Sequence, residues 1–474
     1  MDDIAQDNPD LHSEDPQDLK CIHPLTAVDQ SAPREYIRWM YIFDFIDTSD
    51  DAVLRAVSSI AQGLEYTLQH YPFLSGKVKV SSVFDAESPV QLRYGDTADS
   101  RKVRDEIFKW KVYEDDIGDY EILCDRWMPV SQWKPEDFCV TPLNPDLSKW
   151  QPAFTLQANF LKSGGLVLCL AFHHSIADDW SITNFLIKFA SNIQRVRVPE
   201  SDNSSAFLDT SEYHVPDISS YIYPEATMDF GDFPEWKTSD SIPNGIDQYE
   251  NRPTNYIFTM TAQRALQWTY DIITFLRERQ IFQEVRIMDC LVGMIWVEII
   301  RSGDIDAVAP NKVSRLHIDV NARGRLTPPL YPSYFGNMSA TGVATLQDSH
   351  SVMAADINDG DDDWRSTSFF AYGAVFIRKA IERIDDNYVR HRLTLLNSLS
   401  TPTRVQRVSD AAIECCKSGT RLSAVKDGAD IDFGIPGAGC DPRDGRPRYI
   451  RKPWVSDPYG AITVVPRQQG NEAD

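Results

Sequence analysis

The chain has 474 residues, of which 42% are hydrophobic and 11% aromatic, so it is too long for one hydrophobic core and is expected to form two domains. Its 47 Lys and Arg against 70 Asp and Glu give a formal net charge of −23, which disfavours binding to nucleic acid or to anionic membrane surfaces. The eight cysteines include no Cys-x-x-Cys pair, so we expect reduced thiols and no metal site. The sequence has no run of about 18 apolar residues, so we expect no membrane span, and it has no signal peptide, so we expect a cytoplasmic location.

The first half of the chain predicts a tail followed by a mixed domain. Residues 1–18 are acidic and poor in large apolar residues, which is typical of disorder. Residues 19–205 are interpreted as the N-terminal domain. In it, Leu54, Val57, Ile60 and Leu64 repeat at helical spacing, and "PAFTLQANFLKSGGLVLCLAFHH" predicts a β-hairpin that turns at Gly164–Gly165. An amphipathic helix, "SITNFLIKFASNIQRV", follows.

The second half restarts after a change of composition. Residues 206–255 are rich in Pro, Ser, Asp and Tyr, and predict a crossover linker. Residues 256–474 are interpreted as the C-terminal domain. It opens with a predicted strand, "NYIFTM", and a helix with Thr261 as its N-cap. A mostly apolar helix, "VRIMDCLVGMIWVEIIRSG", and a strand, "SRLHIDV", come next.

Two adjacent histidines end the apolar second strand of the hairpin. Because neighbouring residues of a strand point to opposite faces, His173 and His174 are expected to have different roles. His174 and Asp178 form an H-x-x-x-D pattern. Four explanations of this pattern are open: a structural histidine pair, a metal site, a serine-hydrolase triad and a lone general base. A metal site lacks further ligands at helical spacing, and a triad lacks G-x-S-x-G. The residues alone leave the structural pair and the general base open.

Several further segments, taken together, resemble one enzyme family. "HHSIADD" is similar to the HHxxxDG motif of CoA-dependent acyltransferases, and "DFGIPG" resembles the DFGWG motif of the BAHD family. "DVNARGRLTPPLYPSYFGN" resembles the D-x-R-x-R-L…GN stretch between these motifs. "HYPFLSGKV" and the helix around Asp289 also fit the family, and "HPLTAVDQ" is similar to the opening of fungal members such as trichothecene O-acetyltransferases. The resemblance covers about residues 20–467.

This resemblance implies an α/β fold of two chloramphenicol-acetyltransferase-like domains with a central channel between them. It implies an O-acyltransferase that moves an acyl group, in our interpretation acetyl, from acyl-CoA to a hydroxyl of a fungal secondary metabolite. His174 would be the general base and Asp178 a motif partner that pairs with Arg323, or alternatively Arg325. Acyl-CoA would be a co-substrate, no cofactor would be permanently bound, and the protein would be a monomer whose partners are small molecules.

Two departures from the family pattern bear on this interpretation. Asp179 stands where HHxxxDG ends in glycine, a residue that tolerates positive φ or a close ligand approach. Ile435 replaces the Trp of DFGWG, while Asp432 and Gly434 keep its beginning. The Ser/Thr-Trp element of the family is hard to place here, so Thr420 and Ser423 are the candidate donors to the oxyanion.

Two alternatives remain, the first because of these departures and the second because another class of domain shares a motif. A protein of the same fold recruited for cyclisation or isomerisation of a secondary metabolite would release no CoA from any donor. A condensation-type protein would take its acyl group from a carrier-protein thioester, since such domains share HHxxxDG; the DFG motif and the absence of a fused carrier domain in this sequence argue against it.

Overall fold

The computed structural model describes most of the chain between residues 19 and 465. The described residues are 19–80, 90–95, 100–114, 119–142, 145–146, 148–197, 213, 217–224, 229–233, 235–238, 256–302, 314–346, 362–399, 405–407, 419–424, 428–439, 445–453 and 461–465. The predicted tail at residues 1–18 lies outside them. No helix in these ranges is both long enough and apolar enough to span a bilayer.

Strands and helices alternate along the described chain. The strands are β1 Cys21–His23, β2 Tyr36–Asp44, β3 Lys77–Val80, β4 Val90–Tyr94, β5 Phe108–Tyr113, β6 Gln151–Pro152, β7 Phe154–Leu161, β8 Gly165–His173, β9 Trp236–Thr238, β10 Ser314–Asn321, β11 Ser339–Leu346, β12 Val405–Arg407, β13 Gly419–Ala424, β14 Tyr449–Arg451 and β15 Ala461–Val464. The helices are α1 Ala27–Ser31, α2 Asp50–His70, α3 Ser100–Ile107, α4 Tyr120–Asp125, α5 Pro135–Phe138, α6 Asp179–Arg197, α7 Ala262–Glu278, α8 Ile287–Ser302, α9 Asp362–Glu382 and α10 Asp386–Ser398.

The sheet of the first half has the order β14-β2-β8-β7-β5. β7 and β8 form the hairpin expected from the sequence, with Leu161 opposite Gly165 and Phe154 opposite Phe172. β8 is buried along its whole length because it lies between β2 and β7 and both of its faces are covered. This explains its continuous apolar run, since a central strand covered on both faces has no solvent side.

Helices α2 and α6 cover one face of this sheet. The buried side of α2 includes Val53, Ala56, Ile60 and Leu64, which pack with Phe185 and other residues of α6 in the largest hydrophobic cluster. The sequence placed Leu54 on this side, and that prediction is wrong because Leu54 is 53% exposed. Ile60 and Leu64 are buried as expected, but at the start of the stripe Val53 is buried in place of Leu54, which lies about 100° further around the helix.

A second sheet, with the order β11-β10-β13-β15, belongs to the second half. Helices α8 and α9 pack beside it, and Trp296, Leu316 and Ile377 join them in one core. Gly293 of α8 lies against the backbone of α9, so that a Cβ atom there would come within 2.7 Å of the Ala374 nitrogen. Glycine therefore allows the closest approach of these helices.

The predicted strand "NYIFTM" is wrong for its described part. Residues 256–260 adopt no regular structure, and Tyr256 and Phe258 are 75% and 90% exposed. Alternating aromatic residues favour a strand only where a neighbouring strand supplies the backbone partners, and none pairs with this described segment. The next helix does begin as expected, because the Thr261 hydroxyl accepts a hydrogen bond from the Arg264 N–H.

A segment near the end of the chain, β14, returns to the first sheet before β15 joins the second. β14 pairs antiparallel with β2, with Ile450 opposite Tyr41, and Phe433 and Ile435 are buried in the core under α2 and α6. Residues late in the sequence thus complete the sheet and core of the first half. A division into domains at residue 255 stays a prediction, and chain position alone does not describe how the two sheets are built.

A buried ion pair inside the second half gives a stability prediction. Asp289 of α8 bonds to Arg378 of α9, and both side chains are less than 10% exposed. We expect Asp289→Ala to lower the free energy of unfolding by about 3–5 kcal/mol, because it leaves a buried guanidinium without its carboxylate. Lys149→Ala, which removes an exposed pair with Asp146, should change it by less than about 1 kcal/mol. Urea unfolding of both variants measures the difference, and equal effects would contradict the prediction.

Candidate active site

β8 ends at His173, and a turn joins it to the first residue of α6. His173 is buried beside Tyr36, whose ring centroid lies 5.3 Å away, and its Nδ1 accepts a hydrogen bond from the Ser175 N–H. Burial, helped by the positive charge of Arg34, lowers the pKa of His173 to about 3. His173 is therefore neutral at physiological pH and is a structural part of the strand end.

His174 is held in the same turn by its backbone and by its ring. Its N–H donates to the Glu35 carbonyl at 2.8 Å, and its side-chain Nδ1 lies 3.1 Å from the Ala177 carbonyl oxygen. Because a carbonyl oxygen only accepts, Nδ1 must carry the hydrogen in this contact. The neutral imidazole of His174 consequently has its basic lone pair on Nε2.

Asp178 lies four residues after His174, immediately before α6, and forms a two-pronged ion pair. Arg323 Nη1 donates to Oδ2 and Arg323 Nη2 to Oδ1, each at 2.9 Å, and both side chains are nearly inaccessible to water. Oδ1 also accepts from the backbone and hydroxyl of Ser181, and Oδ2 accepts from the Met338 N–H and the Ser339 hydroxyl. Asp178 comes from the first half of the chain and Arg323 from the second, so the pair connects them.

These contacts determine the charge of Asp178. Burial by itself raises the pKa of a carboxyl, but the Arg323 charge and the hydrogen bonds outweigh it, so that the pKa of Asp178 lies below its usual value. Both carboxylate oxygens are occupied by donors, and the His174 Nδ1 is directed to the Ala177 carbonyl rather than to this carboxylate. Asp178 is therefore an anion at neutral pH and holds the turn to the second half of the protein.

Ser181 and Gly336 belong to the same contact. The motif stretch that ends in GN includes Gly336, whereas no motif indicated Ser181. The Ser181 hydroxyl lies 2.9 Å from the Gly336 carbonyl oxygen and 3.0 Å from the Gly336 nitrogen, and it accepts a bond from Arg323 Nη2. Gly336 has a φ of +148°, a conformation that glycine adopts at low cost. The spacing of Ser181, three residues after Asp178, was the available signal, because Asp178 accepts from residue i+3 like a helix N-cap.

Asp179 is the first residue of α6, and its φ is not positive. A glycine is thus not required there for backbone reasons. Its Oδ1 accepts a 3.2 Å bond from the indole Nε1 of Trp39 on β2, and the Lys452 ammonium lies 4.9 Å from the Trp39 ring. Burial raises the pKa of Asp179, while Lys452 and the Trp39 bond act in the opposite direction. The position at a helix N-terminus also favours a negative charge.

Arg325 and the predicted oxyanion donors occupy other places. Arg325 ends the short 3₁₀ turn that Arg323 begins, and Arg323 rather than Arg325 is the partner of Asp178. Thr420 and Ser423 lie on β13, opposite Leu316 of β10 and Thr463 of β15, but their side chains are outside the described part of the structure. Their role stays a prediction. In the described ranges, no three or more His, Cys, Asp or Glu side chains form a cluster suited to a metal ion.

The DFG-like segment lies at the far end of α6. Gln194 donates to the Asp432 carbonyl, and 15 residues of helix separate Gln194 from Asp179, which is about 22 Å. Asp432 accepts from the Gly434 N–H, Gly434 has a φ of +61°, and the Phe433 ring packs among the aromatic residues of β2 and α6. The segment packs into the core of the first half and is remote from the His174 turn.

Comparisons with known proteins find similarity to acyltransferases. A family model described as "Transferase family" matches residues 139–362, which contain His174, Asp178 and Arg323. The O-acetyltransferase ptmV of Penicillium ochrochloron is 23% identical over an alignment that covers 94% of this chain and 90% of the relative. The O-acetyltransferase anaAT of Neosartorya fischeri is 25% identical, with 77% of each chain covered. The chain is thus similar to acyltransferases of the BAHD type. The predicted enzyme class, an acyltransferase, is confirmed.

Solved structures show the fold. The structure of TRI101 from F. graminearum complexed with ethyl coenzyme A superposes with a TM-score of 0.66 at 16% identity, covering 95% of this chain and 92% of that one. Vinorine synthase superposes with a TM-score of 0.53 at 16% identity, covering 96% and 88%. The predicted two-domain α/β fold of a BAHD acyltransferase is therefore confirmed. The channel between the domains stays a prediction.

The Asp178–Arg323 pair makes a prediction about stability in acid. Because the folded-state pKa of Asp178 lies below its unfolded value, its contribution is complete above about pH 4 and is lost as the pH falls through the folded-state pKa. We expect Asp178→Asn to lower the free energy of unfolding at pH 7 by about 3–5 kcal/mol, since Arg323 then keeps a buried charge without a counter-ion. We also expect the Asp178→Asn variant to lose less stability than the wild type when the pH falls below 4.

Thermal unfolding from pH 3 to 8 tests both parts. The melting temperature at pH 7 should fall, and the curves of variant and wild type should approach each other in acid. A variant with the wild-type melting temperature and a displaced pH–rate profile would contradict the structural role and place Asp178 in the proton path.

Asp179 gives a second prediction from its contact with Trp39. Asp179→Asn keeps an acceptor for the indole N–H and removes a buried charge, so the melting temperature at pH 7 should stay equal or rise. Asp179→Gly removes the acceptor and adds backbone entropy, which should cost about 1–2 kcal/mol relative to Asn. Both variants should keep kcat within about tenfold of the wild type, because a general base normally contributes much more than that. A loss above 100-fold in both would assign the carboxylate to proton transfer.

Proposed function

We propose that this acyltransferase moves an acetyl group from acetyl-CoA to a hydroxyl of a small fungal secondary metabolite, with His174 as the general base. The observation that carries the proposal is the contact of His174 Nδ1 with the Ala177 carbonyl oxygen. It places the proton of the neutral ring on Nδ1, which supports Nε2 as the atom that would take the acceptor's proton.

The chemistry requires few other groups. The acceptor hydroxyl loses its proton to His174 Nε2 while its oxygen attacks the thioester carbonyl, and the tetrahedral intermediate then collapses with release of the CoA thiolate, which is protonated by His174. No covalent bond to the protein forms. The oxyanion needs a donor, typically worth about 3–4 kcal/mol, and we propose Thr420 or Ser423 for this role.

Related proteins support the choice of donor and acceptor. TRI101 of F. graminearum has been solved with coenzyme A together with deoxynivalenol and, in another complex, with T-2 mycotoxin. Two fungal relatives of this chain are named O-acetyltransferases. A CoA thioester and a hydroxylated small molecule therefore agree with the known relatives.

Substitution of His174 tests the base. We expect His174→Ala to lower kcat by about 10²–10⁴-fold with little effect on the melting temperature, because that is the usual contribution of a positioned general base. His391→Ala is the matched control, since His391 lies on α10 beside the Tyr223 ring and away from the turn. The measurement is CoA release with an accepted alcohol. Activity of His174→Ala within tenfold of the control would contradict the proposal.

Metabolite profiles identify the acceptor. After deletion of the gene, the producing fungus should accumulate a compound lighter than the product by the mass of one acetyl group less one hydrogen. The purified protein should then convert that compound with acetyl-CoA and release one CoA per product. Product formation without CoA release would contradict acyl transfer and support cyclisation or isomerisation.

A further inference from the structure

The backbone carbonyl of His174 receives a side-chain hydrogen bond from the second half of the molecule. Asn337 Nδ2 donates to this oxygen at 2.8 Å, and the Asn337 side chain is buried. The His174 N–H donates on the other side to the Glu35 carbonyl. The peptide groups before and after His174 are thus both fixed, which determines the direction of its Cα–Cβ bond and limits where the imidazole can lie.

Asn337 is itself held by a buried carboxylate. Oδ1 of Asp29 accepts from the backbone N–H of Asn337 at 2.8 Å and from its Nδ2 at 3.0 Å. Oδ2 of Asp29 accepts from the backbone and hydroxyl of Thr26, which caps α1. Each oxygen of Asp29 has two donors, so a carboxylate at this buried position is fully hydrogen-bonded.

The hydrogen bonds that run from Asp29 through Asn337 to the His174 carbonyl form a relay. It connects three parts of the chain that lie far apart in sequence. Asp29 and Asn337 are 308 residues apart, and Asn337 and His174 are 163 residues apart. The residue at position 337 must donate to the His174 carbonyl and to Asp29 at the same time. The NH₂ group of asparagine offers two hydrogens for this, whereas an aspartate of the same shape offers none when ionised.

We propose that Asn337, held by Asp29, is a positioning residue that fixes the orientation of His174 for proton transfer. It acts through the backbone of His174 and not on the substrate. The inference rests on the proposed role of His174 as the general base. A displacement of about 1 Å at a reacting group costs up to about 10²-fold in rate, so a hydrogen bond that sets the ring position has a measurable effect.

The first test is Asn337→Asp, which keeps the shape of the side chain and removes the donor. We expect kcat to fall about 10- to 100-fold, while KM for acetyl-CoA changes less than about threefold. Asn159→Asp is the matched control, because the Asn159 amide is also fully buried and donates to the carbonyls of Phe138 and Val167 on the first sheet. If both variants lose kcat equally in proportion to lost stability, the proposal is overturned.

The double variant Asp29→Asn with Asn337→Asp tests whether a loss of kcat comes from the lost hydrogen bond to His174 or from a loosened helix α1. It relieves the repulsion of two carboxylates and allows the side chain at 29 to donate to that at 337. It still leaves the His174 carbonyl without its donor. We expect the melting temperature to recover in part while kcat stays low; recovery of kcat together with the melting temperature would overturn the proposal.

A spectroscopic measurement keeps this inference separate from the proposed function. In protein with ¹⁵N-labelled histidine, the His174 imidazole signals can be assigned by their loss in His174→Ala. They should shift in Asn337→Asp and stay unchanged in Asn159→Asp. If His174→Ala remains active, the general base is wrong, yet these shifts still decide whether Asn337 orients the ring. Unchanged His174 signals in Asn337→Asp would overturn the positioning role.

Discussion

The buried ion pair between Asp178 and Arg323 is the contact on which the arrangement of this active site depends. Two ions removed from water are stable only when every oxygen and nitrogen finds a partner, and the loop at residues 336–339 supplies these partners through Gly336, Met338 and Ser339. The turn that carries His174 is consequently attached to the second half of the chain. Loss of either ion would affect folding before it affected chemistry.

This attachment separates the roles of two residues that are close in sequence. Asp178 remains charged because Arg323 neutralises it, and it has no oxygen left for the imidazole. His174 instead directs Nδ1 to a neutral carbonyl. A neutral partner stabilises an imidazolium less than a carboxylate does, so the ring is suited to take a proton and to return it within one reaction cycle.

The departures from the family motifs have different physical consequences. Asp179 takes a position with negative φ at a helix N-terminus and bonds to Trp39, so an aspartate fits where the family has glycine. Ile435 is buried in the core next to Phe433, about 22 Å along α6 from the turn. Asp179 therefore lies next to the turn that carries His174, whereas Ile435 affects the packing of the core.

The sequence by itself determined the hairpin and the helices that cover it, because apolar periodicity is a local property of the chain, and the order of its motifs indicated the resemblance to acyltransferases. It also indicated Asp178 and Arg323 through the family motifs. It misplaced Leu54 by one position and assigned a strand to residues 256–260, where a partner strand was needed. Only the structure decided the tautomer of His174, because the direction of its ring within the turn does not follow from the residue pattern. Only the tertiary structure decided the relay through Asn337, since its hydrogen bonds join residues more than 100 positions apart in the chain.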